Sequence, residues 1–79
     1  MLRKYLIQTR EQAGFTQTQA ATKLRISQNY LSNIEKGARQ SEIKLSTLMC
    51  MAKCYGVPLN SLIAAETEYQ NETKGGLKK

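Results

Sequence analysis

An all-α domain of five short helices is what this sequence predicts, and three observations predict it. Apolar residues recur at helical spacing from end to end, with no alternating stretch that would argue for a strand. Residues able to cap helices, above all Thr16 and Ser27, stand directly before the amphipathic stretches. Gly14, Gly37 and Gly56 stand at their far ends, where a helix can close on a left-handed residue. The 79 residues leave room for one compact core, and a domain this small buries only about 60% of its unfolded surface.

The first helix is expected from about Leu2 to Ala13, with Leu2, Leu6 and residues 9–13 as its inward stripe and Gly14 as its stop. Phe15 then turns the chain inward. Thr16 with Gln19 three residues on forms a capping box, so a second helix should run from about Gln17 to Leu24 and bury Ala20, Ala21 and Leu24. Ser27 opens a third helix that runs through about Lys36, with Leu31 and Ile34 as its apolar positions and Gly37 as its end. Residues 38–45 read as a polar loop. Ser46 is expected to cap a fourth helix ending at Tyr55 and Gly56, and a fifth should span Leu59 to about Glu66, with Pro58 at its entry. Residues 1–66 thus form one domain, and the polar residues 67–79, with Gly75-Gly76 and terminal lysines, are expected to be a frayed or disordered tail.

Composition narrows the function classes. Hydrophobic residues make up 41% of the chain and there is one proline, a balance that suits a packed domain. No apolar run approaches the ~20 residues needed to cross a bilayer, and Met1 to Tyr5 lead into no signal-peptide core, so the expected location is cytoplasmic, with no membrane partner. Residues 1–63 hold nine basic side chains against three acidic ones, whereas residues 64–79 hold three of each, so the net charge of +6 sits on the domain. Such a surface favours nucleic acid as partner. There is no histidine, and Cys50 and Cys54 lack the further ligands zinc would need, so no metal and no cofactor is expected. The two cysteines are read as reduced thiols that help pack a helix. Without histidine, clustered carboxylates or a phosphate-cradling glycine loop, nothing suggests an enzyme.

The second and third helices are separated only by Arg25 to Ser27. Two short helices joined so closely brace one another at a steep angle and let the second project into a major groove, the helix-turn-helix arrangement. Removing the core positions Leu31 and Ile34 from the third helix leaves Gln28, Asn29, Ser32 and Asn33 facing outward. An ordinary solvated face would carry more Glu and Lys, whereas Gln and Asn can form paired hydrogen bonds with adenine. These four residues are the candidate base contacts.

Residues 2–63 resemble the phage repressor/Cro-type (XRE-like) helix-turn-helix family. The resemblance rests on Arg10, Gly14-Phe15-Thr16-Gln17, Ala20-Ala21, Leu24, Ile26-Ser27, Leu31-Ser32, Ile34-Glu35-Lys36-Gly37, Leu48, Ala52 and Gly56-Val57-Pro58-Leu59. It implies a repressor-like five-helix domain that binds double-stranded DNA as a homodimer and regulates transcription in a bacterium or phage. It also implies an interior ion pair between Arg10 and Glu35 that orients the third helix. Resemblance and electrostatics together put phosphate contacts at Thr16 and Gln17, where a helix N-terminus offers free N–H groups, and at Arg25, Ser27, Lys36, Arg39 and Lys44. The candidate dimer surface is Pro58, Leu59, Leu62 and Ile63, residues that could equally serve as core.

Two features depart from the family pattern. Arg25 stands where the turn usually has glycine, so either the turn bends differently or Arg25 offsets its strain by meeting a phosphate. The stretch after Gly37 is about two residues longer than usual and lacks its proline. Rival readings on the same domain are the antitoxin of a toxin–antitoxin pair, which would grip a toxin partner, and the controller protein of a restriction-modification system. A helical protein-binding adaptor is the rival from another class, and it predicts no salt-dependent DNA affinity.

Overall fold

The computed structural model describes residues 1–37 and 42–78, with side chains described through residue 72. Its five helices are α1 (Lys4–Gln12), α2 (Gln17–Leu24), α3 (Gln28–Lys36), α4 (Leu45–Tyr55) and α5 (Leu59–Lys78), and no strand occurs among the described residues. The core gathers Leu6 from α1, Ala20, Ala21 and Leu24 from α2, Leu31 and Ile34 from α3, Leu48, Met51, Ala52 and Tyr55 from α4, and Leu62 from α5. α2 packs on α3 and α4, α4 on α5, and α1 on both α3 and α5. None of the described helices is long and apolar enough to cross a membrane.

Three helix boundaries differ from those expected, each for a physical reason. α1 begins at Lys4 because Arg3, not Leu2, turns inward: the Arg3 N–H donates to the Glu35 carbonyl at 2.8 Å, and Arg3 is fully buried while Leu2 stays 47% exposed. α4 begins at Leu45 on a Lys44 cap that has no side-chain bond, so Ser46 lies in the first turn instead of capping it. Ile43 just before the cap and Leu48 on the core side occupy the two positions of a hydrophobic staple, which fixes the entry without a polar cap. α5 continues to Lys78 rather than ending near Glu66. Glu66 and Tyr69 are buried against the N-terminal segment, and that docking carries the helix beyond Glu66 into the stretch expected to be a tail.

Candidate nucleic-acid interface

The α2–turn–α3 unit is assembled from local chemistry. Thr16 Oγ1 accepts from the Gln19 N–H at 3.1 Å, and the Thr16 N–H donates back to Gln19 Oε1 at 3.0 Å. This capping box satisfies two donors at the N-terminus of α2 and leaves the N–H groups of Gln17 and Thr18, which have no acceptor within a helix. Positive dipole and free donors together suit a phosphate. At the other end Arg25 closes α2 in the left-handed region, at φ 61 and ψ 41, the only such non-glycine among the described residues. The Ile26 N–H then donates to the Ala21 carbonyl at 3.0 Å, and Ser27 caps α3 by accepting from the Tyr30 N–H at 2.9 Å. The turn therefore keeps its sharp bend, with arginine in the conformation glycine would take more cheaply. Ala20 and Ala21 are both buried, and their small side chains let α2 pack closely against α3 and α4.

Against this frame α3 sets Gln28, Asn29 and Asn33 exposed and Ser32 half-buried. Asn29, Ser32, Asn33 and Lys36 are spaced three, four and seven residues apart and so share one helical face, with Lys36 exposed at its far end. Tyr30, 41% exposed, flanks that face, and sequence reasoning passed over it because it fits neither the core spacing nor the amide pattern. Arg25 and Lys44 are also exposed, while Arg39 lies outside the described residues.

α3 is tied to α1 by a chain of polar contacts. Arg10 donates through Nε to Glu35 Oε2 at 2.7 Å and through Nη2 to Oε1 at 3.2 Å, and its Nη1 reaches the Phe15 carbonyl at 3.0 Å. Both partners are buried, and the hydrogen bond to Glu35 holds the Arg10 guanidinium above its ordinary pKa despite burial. Glu35 Oε1 also accepts from Gln17 Nε2 at 3.0 Å, and Gln17 Oε1 stands 3.5 Å from Gln28 Nε2. Arg10, Glu35, Gln17 and Gln28 thus form one line from the interior to the exposed tip of α3. In this state the Gln17 amide is held by protein partners, which leaves the backbone N–H groups as the open donors at the start of α2.

A second buried ion pair braces the same helix from its C-terminal side. Arg3 donates through Nε and Nη2 to both oxygens of Glu66 at 2.8 and 2.9 Å, and through Nη1 to the Ile34 carbonyl at 2.8 Å. Tyr5 Oη and Gln70 Nε2 add donors to Glu66 at 2.6 and 2.7 Å. Burial alone would raise the Glu66 pKa, but the hydrogen bonds from Arg3, Tyr5 and Gln70 outweigh it and hold the carboxyl below its ordinary value. No local signal marks this pair, since its members lie at opposite ends of the chain.

The expected dimer surface is divided. Leu62 is only 2% exposed and belongs to the core, where it fills the space between α5 and α4, so it is withdrawn from any interface. Leu59 is half-buried against the core, while Pro58 and Ile63 remain exposed. Cys50 is exposed and Cys54 half-buried, both free, with burial pushing the Cys54 thiol pKa up. Among the described residues no cluster of three metal-ligating side chains occurs.

Residues 6–62 match the family model described as helix-turn-helix. The chain is 38% identical over 73 residues to the HTH-type transcriptional regulator ImmR of Bacillus subtilis (strain 168), an alignment covering 91% of this chain and 56% of that protein. It therefore spans little more than half the length of that curated relative. No solved structure matches the chain. With a family model covering the whole of α2, the turn and α3, the chain belongs to the helix-turn-helix family of the phage repressor/Cro type, whose domains bind DNA.

Proposed function

We propose that the protein is a sequence-specific transcriptional regulator, a repressor that binds a palindromic operator as a homodimer in the bacterial cytoplasm. The observation that carries this reading is the outward face of α3, where Gln28, Asn29 and Asn33 present uncharged amides from a helix braced on both sides. An amide side chain can pair with adenine N6 and N7 at once, and each such pair contributes about 1–3 kcal/mol of discrimination against a wrong base. The open N–H groups at the start of α2 hold one phosphate, and Arg25, Ser27, Lys36 and Lys44 flank the groove and set the register of the helix. Repression follows from occupancy, because a dimer on a promoter excludes polymerase.

One recognition helix reads only a few base pairs, whereas two held about 34 Å apart read both halves of a palindrome on one face of the duplex. Exposed Pro58 and Ile63, with the outer part of Leu59, form the surface that joins the two copies. The match to a named transcriptional regulator supports the same reading. Selection of bound sequences from random duplex DNA tests it directly. The expected product is a two-fold symmetric site, and the double variant Gln28→Ala, Asn29→Ala should lose its preference for that site while keeping a weak, salt-sensitive affinity for any duplex. A folded double variant with undiminished preference would overturn the assignment of α3 as the reading helix.

A further inference from the structure

Arg3 joins three elements that lie far apart in the sequence. Two carbonyls from the last turn of α3 end on this one residue: Ile34 O on its guanidinium and Glu35 O on its backbone N–H, both at 2.8 Å. The Ile34 carbonyl also accepts from the Gly37 N–H at 3.2 Å, so Arg3 adds a second donor there, takes up the Glu35 carbonyl, and helps close the exit of α3. The same guanidinium grips both oxygens of Glu66 on α5 and lies over the Tyr69 ring, 4.5 Å from its centroid. Tyr69 in turn donates to the Met1 carbonyl at 2.7 Å. Arg3 is fully buried, and so has no slack in this arrangement.

We infer that Arg3 and Glu66 are positioning residues that set the angle between α3 and α5, and through it the half-site spacing the dimer accepts. The inference rests on the proposed dimer, whose surface at Ile63 lies three residues before Glu66 on the same helix. Apolar contact would hold α5 in place without a preferred direction, because the hydrophobic effect is non-directional. A planar guanidinium fork on a carboxylate fixes direction as well as distance. Arg10 restrains the other flank of α3 through Glu35, so α3 cannot swing about one anchor alone. The proposed base contacts are exposed on α3 while Arg3 is buried, so a single half-site depends less on α5 than the spacing of two half-sites does.

The test compares three DNA duplexes built from the selected operator: the intact palindrome, the palindrome with one base pair inserted between its halves, and a lone half-site. Wild type should prefer its own spacing over the widened one by about tenfold or more, the effect of disturbing one element of a specific site. Arg3→Lys, which keeps the charge but loses the fork, and Glu66→Gln, which keeps the shape, should each reduce this preference to about threefold or less, with half-site affinity falling less than palindrome affinity. If Arg3→Lys does not fold, Glu66→Gln and Tyr69→Phe carry the same measurement. Folded variants that retain the full spacing preference, or lose palindrome and half-site affinity in equal proportion, overturn the inference while leaving the dimer intact. A wild type indifferent to spacing overturns the dimer reading, and this inference falls with it.

Discussion

A left-handed arginine costs about 1 kcal/mol more than a glycine in the same place. Arg25 therefore needs a compensating role, and its exposed position beside the turn makes phosphate contact the proposed one. Arg25→Gly is expected to raise stability by about 1 kcal/mol in chemical denaturation and to reduce the slope of log affinity against log salt by about one unit. A slope that stays the same would remove Arg25 from the phosphate contacts. Tyr55 presents a different imbalance: its hydroxyl is buried without a hydrogen-bond partner, beside Phe15 and near Arg10 and Glu35. Tyr55→Phe removes an unsatisfied oxygen and keeps the ring, so calorimetry should show stability unchanged or higher by about 1 kcal/mol. At this scale the caps were legible because Thr16 and Ser27 bond within three residues of themselves. Arg3 was not, because its partners Ile34 and Glu66 lie 31 and 63 residues away and periodicity carries no information about them.

Helix ends set by polar caps are legible in the sequence, and those set by apolar neighbours or distant contacts are not. α2 and α3 start and stop where Thr16, Ser27 and Gly37 said they would. Ser46 carried a cap signal that the apolar pair Ile43 and Leu48 overrode, and Gln70 fell in the expected tail and Glu66 at the expected end of the fifth helix although both line the inside of a clamp. Gly37 shows how the two kinds of control meet. It ends α3 at φ +68, and a Cβ there would overlap the Met1 carbonyl oxygen and the Tyr69 hydroxyl. Gly37→Ala is expected to cost about 2 kcal/mol or more, the left-handed penalty plus the displacement of that contact. Amide hydrogen exchange should quicken around Tyr69 on α5 as well as at the end of α3; acceleration confined to α3 would mean the two helices are not coupled at this point.

For the molecule as a whole, charge governs both stability and binding, and Glu66 is where acid acts on the fold. The folded state holds this carboxyl below the ordinary value of 4.5, because the hydrogen bonds from Arg3, Tyr5 and Gln70 prevail over burial. Over the interval between the two pKa values the unfolded chain binds more protons than the folded one, so stability falls as pH falls. The contribution of Glu66 is complete above the ordinary value and is lost as pH drops through the lowered one. Melting temperature followed from about pH 6 down to about pH 3 should decline for wild type, and more shallowly for Glu66→Gln, which has no proton to gain. Parallel curves for the two proteins would show that the carboxylate adds nothing to folding. Because Glu66 holds Arg3, which ties α5 to α3, the same titration should loosen the angle between the two helices. Acid would then weaken preference for the palindrome even as protonated carboxylates make the surface more positive and strengthen non-specific binding. Those opposite trends separate loss of geometry from a mere change in charge.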